Sequence, residues 1–254
     1  MKKSIFIVAS LLVFAACNKE VISDHSSDVG YLSFGLAADD VIVETKSQVT
    51  NLDSYSVYID NTSYNYGSDI KGKVLEKSPR NYQVYAENIT PEQAHSGNGE
   101  LRLASPKQDV TVTAGATTTT TLACTAVNSK ITLTFNDSFR AAFDSWGVVI
   151  GYEGSDERDM TVTNESTNMV FFYNIHPTIE NLELSLTATT KSDNSSKSNY
   201  TKFKLEAGHH YTVNYSAGAN GFVGITVNAD DQLIDAEDTN VTVNPYAPNQ
   251  NSAE

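Results

Sequence analysis

The chain has 254 residues and a formal net charge of −14, from 17 basic and 31 acidic residues. An acidic chain without a cluster of basic residues repels phosphate backbones, which argues against nucleic acid as a partner. Its length can supply one large or two ordinary domains.

The N-terminus has the pattern of a bacterial lipoprotein export signal. Two lysines precede an uncharged, largely apolar run over residues 4–16, and two alanines come directly before Cys17. The run is shorter than the ~20 residues that span a bilayer, and these features together mark a cleaved secretory signal. We therefore predict a signal peptide over residues 1–16 and lipid attachment, with acyl chains such as palmitate, at Cys17. The alternative is an ordinary signal peptide that ends near a cysteine, and Phe14 stands where lipoprotein signals usually carry leucine.

Residues 17–28 form the predicted lipidated tether. They are mostly polar and offer little surface to bury, while two or more acyl chains hold a protein stably on a membrane. Lys19 and Glu20 resemble the surface-export signal of Bacteroidetes lipoproteins, although a solvated tether would look the same. Residues 1–16 hold two lysines and no acidic residue, so their removal changes the formal charge from −14 to −16.

Apolar and polar residues alternate over most of the remaining chain, which is typical of half-buried strands. Cys124 is in phase with Leu122 in one such run, so we expect a small buried apolar residue there. With Cys17 lipidated, no intramolecular disulfide can form. Single helical turns are predicted at residues 91–94 and 138–143. The chain is predicted to be all-β, with strands over residues 31–34, 55–59, 82–85, 110–112, 118–124, 131–135, 148–150, 169–173, 182–187, 203–205, 211–215, 223–227 and, at an edge, 241–243.

Two short elements recur in the same order along the chain. Residues 52–59 match residues 143–150 at an offset of 91, and residues 112–116 match residues 205–209 at an offset of 93. The second element places Ala-Gly at a strand-to-strand corner, where glycine adopts a positive φ at little cost. The repeat predicts two tandem antiparallel β-sandwich domains, each of about seven strands in ~100 residues. Their predicted bounds are residues 29–126 and 127–229, and residues 230–254 form an acidic, partly disordered tail.

The sequence carries no recognisable constellation for catalysis or metal binding. His209 and His210 are adjacent in an extended segment, so their side chains point to opposite faces and do not share one metal ion. No HExxH or CxxC motif, nucleophile elbow or phosphate-binding glycine loop occurs. Acidic residues between 230 and 238 lack the register of a calcium loop, and counts of carboxylates alone leave a glycosidase pair open. We predict no enzyme activity, no cofactor and no metal.

Tyr64 and Tyr66 fall in a segment that is predicted to be a loop. Exposed aromatic rings there would stack on sugar rings, whereas the alternative is that these tyrosines pack into turns and the core. The first interpretation makes the two residues candidates for glycan binding.

A family resemblance covers residues 28–228. It rests on residues 30–34, a Thr45-Lys46 pair, Tyr55 with Val57, the corner at 112–115, the run 124–135, and Phe143 with Trp146. This pattern resembles a large Bacteroidetes lipoprotein family of unknown function, whose domains are similar to those of the fimbrillins, the pilin-like proteins of gut and oral Bacteroidetes. The resemblance implies two transthyretin-like β-sandwich domains, an outer-membrane lipid anchor and exposure on the cell surface.

Fimbrillins polymerise by donor-strand exchange, in which a protease removes the lipidated segment, usually after an arginine, and a strand of another subunit fills the groove. The first arginine here is Arg80, inside the first predicted domain, so the chain departs from that pattern. A cut at Lys46 would release residues 31–34 as the first strand. Without a cut, the protein stays an anchored monomer, or the base or tip of a pilus.

These observations predict a cell-surface lipoprotein with a structural or adhesive role, related to fimbrillin-type pilus subunits or their anchored accessory proteins. The alternative is a glycan-binding surface lipoprotein accessory to a polysaccharide-uptake system. The expected partners are the outer membrane through the lipid anchor, other pilin-like subunits by strand addition, and surface glycans.

Overall fold

The computed structural model describes residues 28–38, 41–43, 46–48, 51–218, 223–230 and 239–241, and most of these residues lie in β-strands. The short helices are a 3₁₀ turn (Leu52–Ser54), a π-helical turn (Tyr66–Ile70), α1 (Pro91–Ala94) and α2 (Asp137–Ala142). The strands are β1 (Gly30–Ala38), β2 (Val41–Val43), β3 (Lys46–Gln48), β4 (Ser56–Ile59), β5 (Thr62–Asn65), β6 (Val74–Lys77), β7 (Arg80–Glu87), β8 (Leu103–Ala104), β9 (Gln108–Val112), β10 (Thr117–Ala126), β11 (Asn128–Phe135), β12 (Phe143–Tyr152), β13 (Met160–Thr163), β14 (Val170–Asn174), β15 (Asn181–Thr190), β16 (Ser196–Lys204), β17 (His210–Ala217), β18 (Val223–Asp230) and β19 (Thr239–Val241).

Strands from the first half of the chain form one eight-stranded sheet. Its order is β5-β4-β7-β8-β10-β1-β6, and β9 pairs with β7 beside this path. Because side chains alternate along each strand, one face of the sheet carries the apolar residues. They form a hydrophobic cluster that includes Leu32 of β1, Val57 of β4, Val84 of β7 and Leu122 of β10.

Strands from the second half form two further sheets, with the orders β14-β11-β17-β18-β19 and β13-β12-β15-β16. Their apolar faces meet in a second hydrophobic cluster. Its centre is aromatic: the ring of Phe135 lies 3.8 Å from that of Trp146 and 4.7 Å from that of Tyr215, centroid to centroid. Phe139 of α2 packs on all three rings. The all-β prediction is thus confirmed.

The internal repeat is visible in the strand pairing. β1 runs parallel to β10, and β11 runs parallel to β17 in the same way. The matched segments pair alike as well, because Val57 of β4 lies opposite Ala86 of β7 while Val148 of β12 lies opposite Leu186 of β15. All four of these residues are buried. The two Ala-Gly corners adopt the predicted positive φ, at Gly115 and Gly208.

The predicted helical turns are confirmed by α1 and α2. A capping box starts α1, in which the Thr90 side chain accepts from the Gln93 N–H and the Gln93 side chain accepts from the Thr90 N–H. The sequence pattern missed β2, β3, β5, β6, β8 and β13, and it shortened β16 to its last residues. Each of the missed strands has only two to four residues, which is too few for period-two alternation to be evident.

Other expectations have mixed outcomes. Cys124 is buried, as predicted. The predicted edge strand at 241–243 begins earlier, since β19 covers Thr239–Val241 and pairs with β18. Most of the predicted signal peptide and tether, and most of the acidic tail, lie outside the described residues. Within the described part of the chain, no helix has the length and apolarity needed to cross a membrane.

Candidate functional site

The first strand lies inside its sheet rather than at an edge. β1 pairs with β10 from Tyr31 opposite Thr117 to Ala38 opposite Cys124, and with β6 on its other side. Leu32 and Phe34 point into the core and are 0% and 6% exposed. Removal of β1 would therefore open a groove with two unpaired strand edges and an uncovered apolar floor.

Close backbone packing holds the start of β1 against the corner between β9 and β10. The Tyr31 N–H donates to the Ala116 carbonyl over 2.9 Å, and the Gly115 N–H donates to the Val29 carbonyl over 2.9 Å. A Cβ on Gly30 would lie 2.3 Å from the Thr113 carbonyl oxygen, so only glycine fits there. The entry of β1 into the sheet is thus tightly defined.

The predicted lipid attachment site is Cys17, and the predicted cleavage site follows Lys46; the structure describes only the second of these residues. Cys17 lies outside the described residues. Lys46 begins β3, which forms a short antiparallel ladder with β2 in which Lys46 lies opposite Val43. The bond after Lys46 therefore follows β1 in the chain and precedes β4.

The two tyrosines that were candidates for glycan binding are not a pair of exposed rings. Tyr66 starts the π-helical turn and is only 8% exposed within the first hydrophobic cluster. Tyr64 lies within β5 and is half-buried, and its hydroxyl accepts from Lys77 Nζ over 2.9 Å. The glycan-stacking interpretation is wrong for Tyr66, because its ring is buried in the turn capped by Asn65, together with the side chain of Ile70.

The histidines fall into separate environments. His25 lies outside the described residues. His210 Nε2 lies 2.8 Å from Thr132 Oγ1, while His209 Nε2 lies 3.7 Å from a Glu206 carboxylate oxygen, so the adjacent pair does not converge. In the described ranges, no three His, Cys, Asp or Glu side chains are grouped as a metal site would require.

His95 and His176 do come together, in a cleft of about 320 Å³ between α1 and β14. Tyr152, at the end of β12, lies between them: its ring centroid is 6.1 Å from that of His95 and 5.0 Å from that of His176. The Tyr152 hydroxyl donates to the Asn174 carbonyl over 2.8 Å, and this fixes the ring. The remaining lining residues are Pro91, Arg102, Val127, Glu157, Asn174, Ile175 and Pro177.

Hydrogen bonds define the orientation of Asn174 in this cleft. Its Nδ2 donates to the Pro91 carbonyl over 3.0 Å and lies 3.5 Å from His95 Nδ1. Since a carbonyl only accepts, the amide nitrogen must face Pro91, and Oδ1 takes the opposite direction. That oxygen is buried and accepts no hydrogen bond from any residue that the structure describes.

The same reasoning assigns the tautomer of His176. The backbone N–H groups of Thr178 and Ile179 both point at Nδ1, at 3.2 and 2.9 Å, so Nδ1 is the acceptor. The ring proton is therefore on Nε2, which donates to Glu157 Oε2 over 3.1 Å. Three hydrogen bonds thus fix the imidazole at the cleft wall.

Burial shifts the pKa of two groups in the cleft, His95 and Tyr152. It lowers the pKa of His95 below the ordinary value of 6.5, with a further contribution from the nearby Arg158 guanidinium. Burial also raises the pKa of Tyr152 to about 12. Both groups are therefore neutral at neutral pH, and the cleft presents uncharged rings.

The wall formed by residues 91–102 is attached to β14 by specific contacts. The Phe172 N–H donates to the Asn98 carbonyl over 2.9 Å. Arg158 is 6% exposed, and its two terminal nitrogens donate to the Phe172 carbonyl over 2.7 Å and the Gly97 carbonyl over 2.9 Å. Its guanidinium lies 4.4 Å from the Tyr173 ring centroid, a cation–π contact. These contacts give the cleft a defined shape.

A second concavity, of about 580 Å³, lies on the outer face of the β13-β12-β15-β16 sheet. Its walls are small or acidic, and include Gly151, Ser185, Asp156, Asp159 and Glu183. Tyr200 lies opposite Ser185 and is 56% exposed. Acidic side chains on a solvated sheet face need no ligand to account for them.

The residues of the His95–Asn174 cleft were not predicted as a site from the sequence. They come from segments about 80 residues apart, and none belongs to a known motif. The one local indication was the helical turn at Pro91, which positions His95 immediately after α1.

Comparison with known proteins adds a family. The model of a domain of unknown function, DUF4493, matches residues 28–245. No curated protein matches the chain.

Three solved structures from Bacteroidetes are similar. A proposed cell adhesion protein of Bacteroides ovatus is 12% identical at a TM-score of 0.43, covering 84% of this chain and 98% of that one. A proposed polysaccharide-binding protein of Bacteroides thetaiotaomicron is 8% identical at 0.46, covering 85% and 98%. A fimbrial assembly protein of Parabacteroides distasonis is 9% identical at 0.41, covering 85% and 99%. At these identities and TM-scores the likenesses carry no inference about function.

Proposed function

This chain belongs to the DUF4493 family, and we propose that it is a cell-surface lipoprotein with a structural or adhesive role. Cys17 carries the lipid and residues 17–28 are the tether to the outer membrane. The observation that carries the proposal is the place of β1. The first strand after the tether lies inside a sheet, between β10 and the edge strand β6, with Leu32 and Phe34 in the core.

The proposed architecture has two β-sandwich domains of the fimbrillin type, joined near residues 126–127. Two separate hydrophobic clusters support it, one built from residues between 32 and 124 and the other from residues between 131 and 227. The boundary falls where β10 ends at Ala126 and β11 begins at Asn128. The repeated parallel pairing of β1 with β10 and of β11 with β17 supports the same division.

The strand position also offers a route to assembly. Cleavage after Lys46 separates β1 from the rest of the chain, and loss of β1 leaves the edges of β10 and β6 unpaired. A strand from another subunit can then restore the main-chain hydrogen bonds and fill the places of Leu32 and Phe34. If the chain is not cut, β1 instead connects the folded protein to its anchor.

Anchoring is tested first, in cells of a Bacteroidetes host that express the full chain. Wild-type protein should incorporate radiolabelled palmitate, sediment with the outer membrane and be digested by protease added to intact cells. Cys17→Ala should lose the label and the membrane association. Unlabelled wild-type protein, or protein that is protected in intact cells, contradicts the proposed localisation.

Assembly is tested on material sheared from the same cells and run without boiling on an immunoblot. A ladder of high-mass species whose N-terminus begins at Ser47 identifies a polymerising subunit. Lys46→Gln should abolish this ladder, while Lys19→Gln, which changes the lysine between the signal peptide and β1, should retain it. A single band that stays with the membrane in all three proteins identifies an anchored, non-polymerising adhesin or structural protein.

A further inference from the structure

We propose that the outer face of the β13-β12-β15-β16 sheet binds a second copy of the chain, so that the protein pairs through its second half. The face lies opposite the aromatic core, and one row across it contains Thr161, Val149, Ser185 and Tyr200 in register. Val149 is 38% exposed and Tyr200 is 56% exposed. Solvated faces of antiparallel sheets normally carry polar residues, so an exposed valine and an exposed tyrosine in one row indicate an interaction surface.

The surroundings of this row allow a close approach of another surface. The next row in one direction consists of small uncharged residues, namely Thr163, Gly147, Thr187 and Ser198. In the other direction lies the concavity of about 580 Å³, which Val149 lines. The face therefore combines a projecting ring, Tyr200, with a concavity that begins two strands away.

A two-fold axis along β15 matches these two features. Such an axis exchanges the strands on its two sides, so β16 of each copy lies over β12 of the other. Tyr200 is in register with Ser185 and through it with Val149. Its ring therefore lies over Val149 of the second copy, at the edge of the concavity, and Ser185 faces the same residue of the second copy. One arrangement thus fills both concavities, and a buried tyrosine is a frequent source of binding energy at interfaces.

The charges on the two sides of β15 are complementary under the same axis. Lys204 of β16 is in register with Asn181, at the level where β12 ends and the loop that contains Asp156 begins. Lys204 of one copy therefore lies near Asp156 of the other, and both side chains are exposed. Glu183, close to the axis, lies opposite Lys202 of its own chain. Because each chain has a formal charge of −14, two copies repel at long range, and local matching of opposite charges favours this face for their contact.

The area of the face sets the strength of the association. The four strands contain 4, 10, 10 and 9 residues. At about 3.3 Å per residue and about 4.8 Å between strands, they cover about 500 Å² on each copy. The total of about 1,000 Å² is the lower limit for a specific interface, so the pair should be weak and reversible.

Pairing is tested in cells that express the full chain, with a membrane-permeable homobifunctional thiol reagent. Ser185→Cys places a thiol on the axis and should give a product of twice the chain mass. The controls are the unsubstituted chain, whose Cys124 is buried, and Thr119→Cys, an exposed position in the first half; both should give little of this product. Tyr200→Ser in the Ser185→Cys background should lower the crosslinked fraction at least about fivefold, because it removes the ring that fills the concavity.

Charge reversal tests whether the matched charges belong to different copies. In the Ser185→Cys background, Lys204→Glu brings two carboxylates together at each contact, and Asp156→Lys brings two ammonium groups together. Either variant alone should therefore crosslink less than the parent. When the two variants are co-expressed with different tags, opposite charges meet at both contacts, and the mixed dimer should form as well as the parent does. An ion pair within one chain would not respond in this way, because neither chain carries both changes.

Absence of the double-mass product from Ser185→Cys overturns the proposal. A product that forms equally well in Tyr200→Ser and in both charge variants overturns it as well, because the copies then meet through other residues. A product that joins the chain to a different protein shows that the face does not bind a second copy. These results are separate from the proposed anchoring, which palmitate labelling and protease access test.

Discussion

Gly115 and Gly208 occupy the same corner in the two halves of the chain, 93 residues apart. Gly115 lies between β9 and β10 with a φ of 71°, and Gly208 lies between β16 and β17 with a φ of 79°. After each corner the chain enters a strand that runs parallel to the first strand of the same half. In the first half β10 pairs with β1, and in the second half β17 pairs with β11.

Alanine at either corner should destabilise the protein through the backbone alone. A Cβ at Gly115 meets no atom within 4 Å, and one at Gly208 meets only ordinary contacts at 3.7 and 3.8 Å. Left-handed backbone costs an L-residue about 1–2 kcal/mol, so Gly115→Ala and Gly208→Ala should lower the free energy of unfolding by that amount in urea titrations. Gly115→Asn and Gly208→Asn should lower the free energy of unfolding by less, because asparagine tolerates the left-handed conformation better than alanine does. Equal losses for the alanine and asparagine variants would mean that side-chain packing, and not backbone conformation, determines the cost.

The corners show which features could be predicted from sequence. Ala-Gly between two alternating runs needs only local information, and strands such as β11 and β15 are long enough for period-two alternation to be clear. The His95–Asn174 cleft needs a different kind of information, because its two walls meet only through tertiary contacts such as Asn174 with Pro91. Tyr66 was misplaced for a related reason, since a π-helical turn has no simple residue pattern that would indicate a buried ring.

The core role of β1 predicts a large effect of truncating Leu32. Its side chain is 0% exposed within the first hydrophobic cluster. Leu32→Ala should lower the free energy of unfolding by about 3 kcal/mol, the usual cost of a buried leucine-to-alanine cavity. Ser33→Ala, on the opposite face of the same strand, is the matched control and should change it little. Equal behaviour of the two variants would show that β1 does not sit in the sheet in this register.

The Glu87–Arg102 ion pair should behave as a buried pair. The Glu87 side chain is 4% exposed, and Arg102 contacts its Oε2 through Nε at 3.1 Å and Nη2 at 2.6 Å. Arg102→Met leaves that carboxylate buried without its partner and should cost about 3 kcal/mol of stability, whereas changing both residues to Met should recover most of the loss. The solvent-exposed pair of Lys71 and Asp53 is the comparison: Lys71→Met should leave the unfolding transition nearly unchanged. A double variant no more stable than Arg102→Met would contradict this account.

His95 should make stability depend on pH. Its folded-state pKa lies below 6.5, mainly because the ring is buried. The unfolded chain therefore takes up a proton on this ring at a higher pH than the folded chain does. The contribution of neutral His95 to the free energy of unfolding is fully present at neutral pH. It is lost as the pH falls below about 6.5 towards the folded-state pKa.

Urea titrations at about pH 7.5 and about pH 5.5 measure this effect. The loss of stability between the two should be smaller in His95→Gln than in the wild type. Imidazole NMR of the wild type checks the cause directly, and a His95 ring that titrates above 6.5 would reverse the sign.

Arg158 should hold residues 97–100 against β14. Its two terminal nitrogens bridge the Gly97 and Phe172 carbonyls, and the Phe172 N–H returns a hydrogen bond to the Asn98 carbonyl. Arg158→Met removes both side-chain bonds and leaves the Gly97 and Phe172 carbonyls without these donors, so it should cost about 3 kcal/mol of stability.

The local consequence is the more specific test of Arg158. Amide hydrogen exchange at Phe172 should accelerate in Arg158→Met, because the segment that covers this N–H loses its attachment. Arg158→Lys keeps the charge but not the planar fork that reaches two carbonyls, and should restore little protection. Arg140→Met removes a guanidinium that donates to the Phe135 carbonyl on another part of the chain, and should leave Phe172 protected. Unchanged exchange at Phe172 in Arg158→Met would mean that the contacts of Asn98 and Asn174 hold the cleft wall without the arginine.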